Sequence, residues 1–78
     1  MIKIKILCPA IFHNDSIDEY GYMVLEEGAI LRDALKKLNI KWPINKFINY
    51  NINGYPAELV TSLKDGDEIA VFSVISGG

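Results

Sequence analysis

The chain has one histidine, His13, and one cysteine, Cys8, and neither has the neighbours that side-chain chemistry requires. A nucleophile needs a base within hydrogen-bond reach and a third group to orient that base. His13 stands in the polar run His13-Asn14-Asp15-Ser16, which reads as a surface loop. Cys8 shares the parity of Ile2, Ile4 and Ile6 and reads as a buried, inert thiol. Asp65-Gly66-Asp67 offers two carboxylates, but a calcium loop needs ligands at several further positions, so the triplet reads as a tight turn. Gly28 stands alone, so no glycine-rich phosphate loop precedes a helix. Self-contained catalysis and a resident metal or cofactor are not expected.

The remaining candidate is the stretch Val74-Ile75-Ser76-Gly77-Gly78. Glycine is about 7% of average composition, so two closing glycines arise by chance in roughly one chain in two hundred. The bland reading is a frayed tail. Against it, the glycines follow directly on an apolar strand, so a rigid base would carry a short flexible arm over residues 75–78. Lacking Cβ atoms, Gly77 and Gly78 can thread a narrow channel in geometries barred to other residues. They also leave the Gly78 carboxylate sterically open. A free carboxylate is a poor acyl donor, so chemistry there requires activation by a partner. Adenylation by ATP supplies a leaving group, after which a sulfur nucleophile displaces AMP.

Seventy-eight residues can build one modest core and therefore one domain, residues 1–78. Half the residues are apolar and 23% are charged, a globular composition. The net charge of −2 gives no electrostatic case for nucleic acid or an acidic membrane. A single cysteine excludes an internal disulfide framework. No run approaches 18 apolar residues, so nothing is expected to span a bilayer. At the start, Lys3 and Lys5 alternate with Ile2, Ile4 and Ile6, and Pro9 interrupts the apolar run. That is a strand pattern rather than a signal peptide, and a cytoplasmic location is expected.

The pattern predicts strands over Met1 to Cys8 and about Ile17 to Glu26, with a loop over Pro9 to Ser16 between them. Ile30, Leu31, Ala34, Leu35 and Leu38 then make one helical stripe, with Asp33 early and Lys36 and Lys37 late. Gly28 is the expected N-cap and Asn39 the expected left-handed stop. Asn39 to Lys46, with Trp42-Pro43, is a connector. Phe47 to Asn53 is a third strand running into the Asn53-Gly54 turn, and Tyr55 to Ala57 a short return strand. Leu59 to Leu63 is compact, with a helical turn as one option. Lys64 to Asp67 is a turn, and Glu68 to Val74 is a last, apolar strand. One helix must cover one face of a mixed sheet of four to five strands, with the first and last strands as central neighbours. The fold class is α+β, a β-grasp.

These elements and their motifs resemble the sulfur carriers of the ubiquitin-like β-grasp superfamily, the MoaD/ThiS family of molybdopterin-synthase small subunits and thiamine sulfur carriers. The resemblance rests on Glu27-Gly28-Ala29-Ile30-Leu31-Arg32-Asp33-Ala34-Leu35, on Ile52-Asn53-Gly54, on Leu63-Lys64-Asp65-Gly66-Asp67-Glu68-Ile69-Ala70, and on the ending Ser76-Gly77-Gly78. It implies a carrier rather than an enzyme in its own right, although it would also count as the small subunit of molybdopterin synthase. An E1-like partner would bind ATP and adenylate Gly78, and a persulfide relay would make the thiocarboxylate. The tail would then enter the molybdopterin synthase large subunit or thiazole synthase and deliver sulfur. The length favours the molybdopterin branch. Phe72-Ser73-Val74-Ile75 stands where that branch often carries a Pro-Pro pair, which leans the other way. A thiamine, other sulfur or tungsten-cofactor pathway, or a ubiquitin-like modifier or interaction module, stays open.

Alignment on the terminal glycines of ubiquitin-like relatives directs Ile69 and Val71 to the helix, and Phe72 and Val74 outward beside the tail. With Ile75 and Ser76 they form the expected partner-binding set. The acids Asp15, Asp18, Glu19, Glu26 and Glu27, and Asp65, Asp67 and Glu68, are either solvated surface charge or a steering field for a basic partner groove.

Overall fold

A computed structural model of the chain describes residues 1–40 and 48–73. The Trp42-Pro43 connector, Phe47, Val74 and the predicted tail lie outside the described residues. The strands are β1 (Ile2–Leu7), β2 (Tyr22–Leu25), β3 (Ile48–Ile52), β4 (Tyr55–Pro56) and β5 (Glu68–Ser73). They form one sheet in the order β2-β1-β5-β3-β4. β1 and β5 are interior and parallel, with Ile6 opposite Ile69, and the other pairings are antiparallel. A single described α-helix, α1 (Leu31–Lys37), supplies the second layer.

Alternation along the strands explains the core. Ile2, Ile4 and Ile6 of β1, Met23 and Leu25 of β2, and Ile69 and Val71 of β5 are buried on one face. Leu31, Ala34, Leu35 and Leu38 meet them from the helix at the spacing of one helical stripe. Among the described residues no polar or charged side chain is buried.

The helix stops where expected and starts where it was not. Asn39 is left-handed, at φ 61°. Its N–H donates to the Lys36 carbonyl, and the Ile40 N–H donates to the Leu35 carbonyl, both at 3.0 Å. This is a Schellman ending, with Ile40 buried behind it. At the other end Gly28 is not the N-cap. It occupies a turn at φ 88°, and Ile30 precedes the first helical residue. The Ile30 N–H donates to Asp33 Oδ2 at 2.9 Å. The free N–H groups of Leu31 and Arg32 donate to the carbonyls of Thr61 (3.0 Å) and Leu59 (2.9 Å). The segment after β4 is therefore a remote cap for the helix, built on a single turn in which the Thr61 N–H donates to the Glu58 carbonyl at 3.0 Å, and Ser62 bridges to Ile30.

β2 begins at Tyr22, later than predicted, because Asp18 starts a turn. The Gly21 N–H donates to the Asp18 carbonyl at 3.0 Å, and Gly21 sits at φ 87°. Ala10–Phe12 forms a short 3-10 helix inside the predicted loop.

Candidate functional site

The strand that leads toward the terminus is β5, and its register sorts its side chains into two sets. Tyr50 lies opposite Val71, and Ile52 opposite Ile69, on the helix face. Asn49 lies opposite Phe72 on the other face, and Leu7 and Asn51 flank Ala70 from either side. Phe72 is 42% exposed and Leu7 is 45% exposed, so an apolar patch with Ala70 between them faces away from the helix. Asn49 and Asn51 border it. Beside it Pro56, Ala57 and the β3 asparagines line a surface groove of about 390 Å³, with Phe72 at its wall.

The patch sits at the C-terminal end of β5, where the chain runs on toward Val74 and the glycines. Of the expected partner-binding residues, Phe72 is exposed on β5; Val74, Ile75 and Ser76, and the expected reactive end Gly77 and Gly78, lie outside the described residues. Leu7 was not singled out as a site residue. The signal for it was the alternation Lys3-Ile4-Lys5-Ile6-Leu7, which sends Leu7 to the outer face with the lysines.

Farther across that face, the ammonium groups of Lys3 and Lys5 lie 4.7 Å and 4.9 Å from the Tyr22 ring centroid. Lys5 Nζ also donates to the Tyr20 carbonyl at 2.6 Å. The outer face thus runs from a basic, aromatic border to an apolar end.

The other side-chain candidates are accounted for by the fold. Asp65 Oδ1 accepts the Lys3 N–H at 2.8 Å, and Asp67 Oδ2 accepts the Lys64 N–H at 2.8 Å. Asp67 Oδ1 takes an Asn53 amide proton at 2.9 Å. These oxygens hold a turn, with Gly66 at φ 89°. His13 is exposed, and its Nε2 lies 3.3 Å from the Cys8 carbonyl oxygen, not from the thiol. Cys8 is half-buried, and burial pushes its thiol above the ordinary range. Of the acids considered for steering, Asp18, Asp65 and Asp67 are bonded to backbone amides. Glu19, Glu26, Glu27 and Glu68 project into solvent. Among the described residues no group of three or more acidic, histidine or cysteine side chains is placed to hold a metal ion. No described helix is long and apolar enough to cross a membrane.

Two solved structures share this arrangement. A molybdopterin converting factor, subunit 1, of Pyrococcus furiosus superposes with a TM-score of 0.71 at 24% identity, over 96% of this chain and 100% of that one. SAMP1 of Haloferax volcanii superposes at 0.69 and 23% identity, over 97% and 99%. At that identity the likeness establishes the fold, a five-stranded β-grasp. No curated protein matches the chain. The ThiS family model matches residues 15–78, from the loop before β2 through both turns to the closing glycines. With most of its length so matched and the β-grasp in place, the chain belongs to the ThiS family of ubiquitin-like sulfur carriers.

Proposed function

We propose that this protein carries sulfur on its C-terminus for molybdenum cofactor (molybdopterin) biosynthesis. The Gly78 carboxylate attacks the α-phosphorus of ATP on an E1-like enzyme, giving an acyl-adenylate and releasing pyrophosphate. A persulfide sulfur then displaces AMP. A second thiol of the activating system attacks the sulfur of the resulting acyl disulfide that is remote from the acyl carbon, forming a disulfide with it and releasing the thiocarboxylate. The chain contributes no catalytic side chain of its own; it is the substrate of the activating enzyme and the sulfur donor to the next one, in the cytoplasm. ATP and the persulfide act through the activating enzyme, with no cofactor held by the carrier itself.

The observation that carries this reading is the exposed Phe72 near the end of β5, with Leu7 of β1 on the same face, a few residues before Ser76-Gly77-Gly78 in the sequence. A docking surface beside a thin, Cβ-free arm lets a partner hold the domain while the arm enters its active site. The family match extends through Gly78, which supports treating those glycines as the working end. The name of the Pyrococcus structure supports molybdopterin synthase over thiazole synthase as the acceptor.

The test is intact-mass measurement after incubation with the activating enzyme, ATP and a sulfur source. Replacement of one oxygen by sulfur at Gly78 is the expected product. A stable AMP adduct without that exchange would instead indicate a modifier that is passed on to lysines. An unchanged mass would reduce the protein to an interaction module.

A further inference from the structure

The sheet has an edge at β2, and the chain keeps that edge occupied with its own groups. The Ile6 N–H donates to the Gly21 carbonyl at 2.7 Å. Backbone direction alternates along an antiparallel pair, so Gly21, Met23 and Leu25 face β1 while Tyr22 and Val24 present their N–H and C=O groups outward. Three of those four outward groups are taken. The Tyr22 N–H donates to Asp18 Oδ1 at 2.9 Å, and the Tyr22 carbonyl accepts the Asp18 N–H at 2.9 Å. The Val24 carbonyl accepts Lys37 Nζ, reaching across from the end of α1, at 3.1 Å. Neither closure comes from the sheet itself: Asp18 belongs to the loop and Lys37 to the helix.

The same four groups are self-complementary. When a second copy is laid antiparallel with Met23 opposite Met23, Tyr22 of each copy faces Val24 of the other. Each such pair exchanges two backbone hydrogen bonds. On the outer face the match places an aromatic ring against a β-branched side chain, a favourable cross-strand pair. Val24 is 47% exposed and free to make it.

We propose that the β2 edge is a latent strand-pairing surface for a second copy of this chain, held shut by Asp18 and Lys37. Unblocked edges are templates for chain-to-chain pairing, and a charged side chain laid on the edge is one way to stop it. The closure keeps one domain per working unit whatever the domain carries, so the inference stands apart from the function proposed above.

The double variant D18A/K37A frees the Tyr22 N–H and the Val24 carbonyl, while the Tyr22 carbonyl keeps the main-chain N–H of residue 18 on one lone pair and offers the other. Light scattering behind size-exclusion chromatography from micromolar to millimolar protein tests the proposal. The unaltered protein is expected to stay monomeric, and the double variant to self-associate at least roughly tenfold more tightly, as dimers. Adding V24P removes an outward N–H, which an edge strand tolerates. The triple variant is expected to return to monomer with an unchanged circular dichroism spectrum. A monomeric double variant, or dimers that survive V24P, would overturn the proposal. K37A alone truncates an exposed side chain at the helix end and retains the fold, so it guards against a double variant that unfolds. It frees the Val24 carbonyl but leaves the Tyr22 N–H on Asp18, so it is expected to stay monomeric, and K37A dimers at micromolar concentration would overturn the part given to Asp18.

Discussion

Asn53 and Asp67 are joined side chain to side chain, Nδ2 to Oδ1 at 2.9 Å, at the end of the sheet where β5 begins. Asn53 Oδ1 also accepts the Glu68 N–H at 2.9 Å, and the Asn53 N–H donates to the Glu68 carbonyl at 2.8 Å. The Asn-Gly and Asp-Gly-Asp-Glu motifs are thus two halves of one lock, and the lock fixes the residue at which β5 begins. Side chains alternate along a strand, so a slip of one residue would turn Val71 out and Phe72 in. Register set at Glu68 decides which residue faces outward at the other end.

Asn53 serves this lock with both backbone and side chain. At φ 53° it is left-handed, a conformation that strains alanine but not glycine. Asn53→Gly loses the two side-chain bonds and is expected to cost about 1–2 kcal/mol. Asn53→Ala adds the backbone strain, about 1 kcal/mol more. Urea unfolding of both variants checks the order, and equal stabilities would show that the backbone conformation is immaterial.

Much of this was readable in the sequence. The period of two in Ile2-Lys3-Ile4-Lys5-Ile6 and the helical stripe Ile30, Leu31, Ala34, Leu35 and Leu38 are local signals, and a strand and a helix form there, the helix beginning at Leu31. Asn53-Gly54 and Asn39 announced their left-handed turns by residue type. The misreadings arose where distant residues decide. Gly28 looks like a cap because the actual partners of the first helical N–H groups, Leu59 and Thr61, come far later in the chain. Tyr20 has strand propensity, yet Asp18 captures its N–H at 2.8 Å and holds it in a turn. For the site, alternation pointed to Phe72. Leu7 became its neighbour only once the parallel β1–β5 pairing was known.

Phe72→Ala separates docking from folding. The ring is 42% exposed and lies opposite Asn49 on the face away from the core, so its removal is expected to cost about 1 kcal/mol or less in stability. Affinity for the activating or acceptor enzyme is expected to fall at least roughly tenfold, the size of a hot-spot loss. Titration calorimetry beside a thermal melt reads both quantities. A variant that melts far below the parent with unchanged affinity would place the ring's role in the fold.

The Asp18 turn gives stability a dependence on acid. The Tyr22 N–H, and then the Tyr20 N–H, hold the exposed Asp18 carboxyl below the usual carboxylate range. A group depressed on folding contributes stability above its unfolded value, near pH ~4, and that contribution is lost as pH falls through the lower folded value. Asp18→Asn is expected to flatten this part of the acid limb by lowering the neutral plateau, so that the two proteins converge at low pH. Melting temperatures of the two proteins from neutral to acid pH give the comparison. Parallel curves would remove Asp18 from the acid response.

Sulfur could in principle ride on the one thiol rather than on the terminus, and the two routes predict different chemistry. Cys8 is half-buried at the end of β1, and burial raises its thiol above the ordinary range. The thiolate is the nucleophile, so at neutral pH Cys8 is expected to react with iodoacetamide more slowly than a free cysteine, catching up only as the solution becomes alkaline. His13 offers no remedy, since its ring is turned to the Cys8 carbonyl. Cys8→Ala should therefore leave ATP-dependent sulfur loading at the parent rate. Deletion of Gly78 should abolish loading without changing the melting temperature, because the described core residues run only from Ile2 to Val71. The reverse pattern, loading lost with Cys8 and kept without Gly78, would move the sulfur from the acyl end to the thiol.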